Sequence, residues 1–290
     1  MPVFNSEKYI SEAVNSILTQ SFSDFEFIII NDASTDNTSE ILNEITDARV
    51  IKIDNTTHKG NYRCRNQALQ MAKGKYICVM DSDDISHIDR LAIQFSFLED
   101  NADFVSVGSD IEFFNQKGES SLFHRISDKD KLKVYLLRDN VCTHPTLLLR
   151  RDILKKYKLS YNSDYYYSAD YNLMVELSRV GYISNISEPL LKYRIHSNQI
   201  SSKHNLEQER YADQIKLKQL AFFKINPSIE EIINHLDLIK EKSIAFNKLK
   251  QAEEWCNKLL AINDKLKIYN TELLSDFFEY HLNIALKNAF

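Results

Sequence analysis

The chain has 290 residues, 43% hydrophobic and 11% aromatic, enough to bury one sizeable core or two modest ones. A net charge of -5 and a pI near 5.9 leave no broad basic surface, so nucleic acid is not an expected partner. Four widely separated cysteines, no signal-like amino end and no apolar run near the roughly 20 residues of a membrane span predict a soluble protein of a reducing, cytoplasmic compartment, with any membrane contact peripheral.

Met1 to Phe4 reads as the end of a strand, and Asn5 as the N-cap of a helix carrying Tyr9, Ile10, Ala13, Val14, Ile17 and Leu18 at helical spacing. Phe25 to Ile30 is a buried strand that runs into the polar turn Asn31 to Asp36, ahead of a helix around Glu40 to Ile45. Val50 to Ile53 is a third strand, and Gly60 opens a helical segment to Lys73 with Arg63, Arg65 and Asn66 near its start. Tyr76 to Met80 suits a strand buried on both faces and ends in Asp81-Ser82-Asp83-Asp84. Strand and helix thus alternate four times, which predicts a parallel sheet with right-handed crossovers and helices on both faces.

Ligands of such sheets sit beyond the carboxyl ends of strands, so three carboxylates there need a cation or must hold their protons. Oxygen-preferring Mg²⁺ or Mn²⁺ satisfies them, whereas Asp83 and Asp84 could also simply cap a helix beginning near His87. A helix is expected from Arg90 to Leu98, then short strands at Phe104 to Val107 and Ile111 to Phe114 and a polar loop through Gly118. A helix at Asp128 to Leu137, a strand at Thr146 to Leu149, a helix at Ala169 to Val180 closed by Gly181, and an extended Leu190 to Ile195 ending at His196 follow. Beyond Asn205 only helices are expected, through Ile215 to Phe223, Ile229 to Ile239, Trp255 to Ile262 and Leu273 to Leu286. Lys216, Lys218 and Lys224 beside Leu217, Leu220, Phe222 and Phe223 suit either a lipid headgroup boundary or ordinary core packing.

Four polar clusters stand out: Asn31 to Asp36, Arg63 to Asn66, Asp81 to Asp84, and Asp170 with His196. Met1-Pro-Val-Phe-Asn with Glu7, Asn31-Asp-Ala-Ser-Thr-Asp, Arg65-Asn66, Asp81-Ser-Asp-Asp and Tyr167-Ser-Ala-Asp170-Tyr closely resemble the family 2 inverting glycosyltransferases of the GT-A fold. The resemblance covers Met1 to about Ser202. It implies an α/β, Rossmann-like, mostly parallel sheet flanked by helices at 1–204, with 1–100 holding the nucleotide sugar and 101–204 the acceptor, and a helical appendage at 205–290. Within the family, Ser178-Arg-Val-Gly181, Glu188 to His196 and Asn198 to Ser202 are similar to bacterial lipooligosaccharide and lipopolysaccharide transferases that add N-acetylhexosamine in β-1,3 linkage.

By this resemblance Pro2, Val3, Asp32, Arg65, Asp81 and Ser82 bind the nucleotide sugar, with the Asp32 carboxylate accepting the imide N–H of uracil, which guanine could also supply. Asp83, Asp81 and His196 would hold Mn²⁺ or Mg²⁺ against the diphosphate, and Asp170 would be the catalytic base. Each residue also has a plain reading. Asp32 could build the turn, Arg65 could lie on a helix surface, His196 could be a packed loop histidine, and Asp170 could merely begin a helix. Tyr161, Tyr165, Tyr166 and Tyr167 could stack on sugars or pack, and His144-Pro145-Thr146 is read as structural first.

The implied activity moves a sugar (N-acetylglucosamine, N-acetylgalactosamine or another hexose) from a UDP-sugar to a glycan or glycolipid acceptor. The setting would be lipopolysaccharide, lipooligosaccharide or capsule synthesis at the cytoplasmic face of the inner membrane. Ala169 where the family usually has Glu, and Asn31 where Asp is common, motivate a sugar-nucleotide-binding module of weak or lost catalysis as the alternative. A nucleotidyltransferase would show a Gly-rich basic loop, and the chain has 5 glycines. Relatives in the family carry apolar residues ahead of the segment matching Met1-Pro-Val. So short a strand leaves backbone groups unpaired, and the expectation is a start upstream of Met1 and a less stable 290-residue form.

Overall fold

The computed structural model describes residues 1–115, 117–196, 199 and 204–289. Its first sheet is parallel and holds β1 (Pro2–Val3), β2 (Phe27–Asn31) and β3 (Val50–Asp54) in that order. Alternation along β2 sends Phe27 and Ile29 to one face, where α1 (Ile10–Leu18) and α2 (Thr38–Asn43) cover them with Ile10, Val14, Ile17 and Leu42. Ile28 and Ile30 face Cys64 and Ala68 of α3 (Asn61–Met71) on the other side. Asn5 does not cap α1. It takes a left-handed φ of 49°, and its Oδ1 accepts the amide of Thr35 at 2.8 Å, pinning the turn after β2.

Tyr76 to Met80, expected to extend this sheet, departs from it. β4 (Tyr76–Cys78) pairs antiparallel with β8 (Leu148–Arg150) in a second, six-stranded sheet. That sheet also holds β5 (Ile85–Ser86), β6 (Phe104–Asn115), β7 (Ser120–Phe123) and β9 (Tyr182–Ile195), in the order β4-β8-β6-β9-β5 with β7 on β6. Two-residue β1 forms a ladder with β2 but none with β4 among the described residues. A cavity of about 610 Å³ lies between the two, lined by Met1, Ile28, Ala68, Tyr76 and Cys78. The Met1 ammonium donates to the Ile28 carbonyl at 2.7 Å, and burial, then Arg65, push its pKa down to about 5.

Two short strands were expected between Phe104 and Phe114, and one strand of 12 residues is found. Gly108-Ser109-Asp110, which interrupts the apolar pattern, is buried and satisfied: a Cβ at Gly108 would lie 2.3 Å from Asn185 Oδ1, and the Ser109 amide donates to Thr146 Oγ1 at 3.2 Å. The register against β9 shifts on both sides of Asp110, so one face cannot be followed by period two.

No helix begins at His87 among the described residues, and α4 (Arg90–Asp100) lies where the Arg90 to Leu98 helix was expected. Asp128 caps α5 (Lys129–Tyr135) by accepting the Lys131 amide, an unforeseen α6 (Arg151–Lys156) follows β8, and α7 (Ala169–Leu177) is shorter than its pattern. The helical end is α8 (Asn205–Leu220), α9 (Ile229–Ile239), α10 (Phe246–Leu266) and α11 (Thr271–Asn288). Its core of Trp255, Leu259, Leu274, Phe277 and Phe278 takes in Val134 of α5 and Leu137 just after it. Lys218 pairs with Glu176 at 2.6 Å, and Lys216 and Leu220 of α8 and Phe223 just after it are buried. No helix among the described residues is long and apolar enough to cross a membrane. Of the Asn198 to Ser202 segment, all but Gln199 lies outside the described residues.

Candidate functional site

Asp32 stands just past β2 and is buried. Its carboxylate accepts the amides of Lys59 at 3.0 Å and Gly60 at 2.7 Å and the side-chain amide of Asn55 at 2.8 Å, with His58 Nδ1 3.0 Å away. Burial pushes its pKa up, but these hydrogen bonds outweigh burial and hold it below the usual carboxylate value. A nucleobase N–H at Asp32 would share an acceptor already engaged by this chain. Gly60 takes a φ of 91°, and a Cβ there would lie 2.3 Å from Tyr166 Oη, so glycine is required where the amide reaches Asp32. Pro2 pairs with Ile30 in the ladder. The Val3 side chain is buried in the core and its carbonyl accepts the Asp32 amide at 2.8 Å.

Asn31 has a local reason to be an amide. Its Nδ2 donates to Asp54 Oδ1 at 2.7 Å and Ser39 Oγ at 2.8 Å, so an aspartate there would face the Asp54 carboxylate. Ala169 is fully buried in the core. One departure from the family pattern thus serves a partly buried hydrogen-bond network and the other the core.

Past β4 the acidic run fans out. Asp81 pairs with the buried guanidinium of Arg65, and Ser82 Oγ lies 2.8 Å from Ser6 Oγ. Asp83 Oδ2 is 2.9 Å from His196 Nε2, while burial, then Asp81, push the Asp83 pKa up. Asp84 is buried, with one oxygen accepting the Arg194 amide at 2.9 Å and the other without a hydrogen-bond partner among the described residues; burial, then Asp83 and Asp81, push its pKa well up. Arg194, not singled out from the sequence, braces this loop: Nε donates to the Asp83 carbonyl at 2.8 Å, and the guanidinium pairs with Glu12 and lies over Tyr9 and Phe114.

No three His, Cys, Asp or Glu side chains are gathered into a metal cage among the described residues. Asp81 and Asp83, about a quarter exposed, with the His196 imidazole beside Asp83, suit a hard cation that keeps water and takes its remaining ligands from phosphate oxygens. Burial, then the Asp81 charge, lifts Asp83, and a cation there would neutralise that charge.

Asp170 is the second residue of α7. Tyr62 Oη donates to its Oδ1 at 2.9 Å and Asn140 Nδ2 to its Oδ2 at 3.0 Å. Burial dominates and pushes its pKa above the usual value, against the opposing bonds of Tyr62, the Tyr171 amide and Asn140. Tyr161 packs: it is buried, lies 5.5 Å from the Tyr62 ring in a stack, and meets His144 Nε2 through its hydroxyl at 2.8 Å. Tyr167 stacks on His204. One helix thus links three parts of the site, with Gly60 at the N-cap of α3 on Asp32, Tyr62 on Asp170 and Arg65 on Asp81.

Residues 1–158 match the glycosyl transferase family 2 model. An uncharacterized glycosyltransferase of Haemophilus influenzae is 31% identical over 97% of this chain and 90% of its own length. A UDP-Glc:α-D-GlcNAc-diphosphoundecaprenol β-1,3-glucosyltransferase of Escherichia coli is 30% identical over 73% of this chain and 82% of its own. Among solved structures, S. aureus TarS in complex with UDP-GlcNAc superposes with a TM-score of 0.64 at 18% identity, covering 99% of this chain and 87% of that one. A Pyrobaculum calidifontis mannosyltransferase in complex with GDP-Man and Mn²⁺ gives 0.58 at 16%, over 100% and 85%. These likenesses place the fold among GT-A structures. With its family model spanning more than half of the sequence, the chain belongs to glycosyl transferase family 2.

Proposed function

We propose that the protein is an inverting, metal-dependent hexosyltransferase that moves glucose or an N-acetylhexosamine from a UDP-sugar to a lipid-linked glycan of the bacterial cell envelope. We propose further that 1–204 is the transferase domain, with 1–100 holding the donor and 101–204 the acceptor, and that 205–290 buttresses it. The observation that carries the reading is α3, whose first turns join the Asp32 carboxylate, the half-buried Asp170 carboxylate and the Asp81 end of an acidic strand terminus. The E. coli relative's UDP-Glc donor and undecaprenol-linked acceptor, and the Mn²⁺ beside GDP-Man in the mannosyltransferase, support donor, acceptor and metal by analogy.

Asp32 and Arg65 would seat the nucleotide, and Asp81, Asp83 and His196 would hold the cation. When bound, Mn²⁺ or Mg²⁺ offsets the charge that develops on the departing diphosphate. Asp170 would take the proton of the acceptor hydroxyl as it attacks the anomeric carbon from the face opposite the leaving group, which inverts the configuration. Burial raises the pKa of this carboxylate, which makes it a stronger base, and the hydrogen bonds of Tyr62 and Asn140 oppose that rise.

Incubating the protein with UDP-Glc, UDP-GlcNAc and UDP-GalNAc, Mn²⁺ and a diphosphoundecaprenol-linked GlcNAc tests this directly. Acceptor-dependent UDP release with a β-linked product is expected from one donor. Donor binding with no release under any pairing would leave a binding module instead.

A further inference from the structure

Asp170 is gripped from both sides by groups that the chain itself holds rigid. The Tyr62 ring stacks at 22° on Tyr161, whose backbone is clasped by Asn66: the Tyr161 amide donates to Asn66 Oδ1 at 2.9 Å and Asn66 Nδ2 donates back to the Tyr161 carbonyl at 2.7 Å. Tyr62 therefore has little freedom to swing its hydroxyl. On the other side Asn140 Oδ1 accepts the Cys142 amide at 3.2 Å, which fixes the amide orientation and turns Nδ2 toward Asp170. Tyr62 and Asn140 thus each give a donor to a different oxygen of the carboxylate.

We propose that Tyr62 and Asn140 are positioning residues for Asp170: they fix the orientation of its half-buried carboxylate toward the acceptor hydroxyl and favour its ionised form. This rests on the reading of Asp170 as the base. The two residues reach Asp170 from α3 and from the turn after α5, so the carboxylate is aimed by elements outside its own helix. Tyr161 and Tyr193 are the other titratable side chains in electrostatic reach, with Arg65 beyond Tyr62; burial raises the pKa of both tyrosines, which leaves them neutral in the working range. Burial, then Asp170 itself, raises Tyr62 well above the usual phenol, so it remains a donor there too.

The test is a ¹³C-carboxyl NMR titration of Asp170 in the full chain, with the resonance assigned through Asp170→Asn. In Tyr62→Phe, which keeps the stacked ring, and in Asn140→Ala, loss of one donor to the charged form should move the titration up by about one pH unit. With an active donor and acceptor pair, the acid limb of the kcat profile should rise by the same amount while the UDP-sugar Kd is unchanged. If Tyr62→Phe does not fold, Asn140→Ala carries the test. A carboxyl that titrates as in the parent in the folded variants overturns the inference. A carboxyl that moves while the rate profile does not would instead remove Asp170 as base and leave the clamp on it standing.

Discussion

Asp83 and Asp170 make different demands on their surroundings, and the difference separates binding from chemistry. Asp83 is partly exposed and repelled by Asp81, so Asp83→Asn removes charge from a ligand-facing loop and not from the core. It should abolish Mn²⁺-dependent UDP binding with the thermal midpoint little changed; calorimetry showing parental affinity would end the metal assignment. Asp170→Asn keeps volume but cannot take a proton, so donor binding should persist while transfer falls by about 10² to 10⁴. Turnover within threefold of the parent would sink the base assignment. The sequence exposed Asp32, Asp81, Asp83 and Asp170 because each lies in a short motif at the end of an element, where local pattern suffices. Tyr62, Asn140 and Arg194 gave no such signal: Tyr62 and Asn140 meet Asp170 from 108 and 30 residues away, and Arg194 meets Asp84 across 110, so only the fold brings them together.

At the scale of elements, buried periodic segments such as β2, α1 and α9 were readable, while β6 was not, because its polar centre is satisfied by partners distant in sequence. The junction between β1 and β4 was the other surprise. Val79 donates to Leu147 and Arg151 to Lys75 across the β4–β8 ladder, so alternation turns the backbone of Tyr76 and Cys78 toward the 610 Å³ cavity. Met1 meets the cavity with a buried ammonium whose pKa is about 5 instead of 8.0. An amine depressed in the folded state stabilises fully only above its unfolded value, so a chain starting at Met1 should lose stability as pH falls from about 8 to about 5. Adding four apolar residues ahead of Met1 would move the charge outward, fill apolar space and extend the ladder. A midpoint higher by several degrees is expected, with the slope across that pH window flattened. Equal midpoints and equal slopes for the two forms would show that the cavity does not accept a strand.

The molecule as a whole is tied together by one short helix. α5 gives Leu132 to the core around α7 and Val134 to the core of the helical end, and the residues just beyond it, Leu136 and Leu137, divide the same way. Gln219 donates to the Leu136 carbonyl at 2.8 Å and Arg138 pairs with Glu241 at 2.5 Å across the same seam. Helical periodicity revealed α8 to α11 but not what they dock on, since docking depends on which face of α5 they meet. Such a shared core should melt in one transition. The helical end also buries two histidines, His235 and His281, with His281 lacking a hydrogen-bond partner on either ring nitrogen among the described residues. Burial, then Lys216 and His281, push the His235 pKa down to about 3, and burial, then Arg138, push His281 down to about 4. The unfolded chain takes up these protons near 6.5 and the folded one resists them, so stability present above about 6.5 should be lost as pH falls toward 4. His281 packs against Phe277 with ring centroids 4.4 Å apart, a setting that accepts an aromatic hydrocarbon. His281→Phe should therefore raise the midpoint at pH 5 by several degrees, from about 2 kcal/mol of relieved linkage, and change it much less at pH 8. Trp255, the single tryptophan of the chain, donates to His235 Nδ1 at 3.2 Å and reports the melt by its fluorescence. Parallel pH dependences for the variant and the parent would mean that His281 does not set the acid sensitivity of this core.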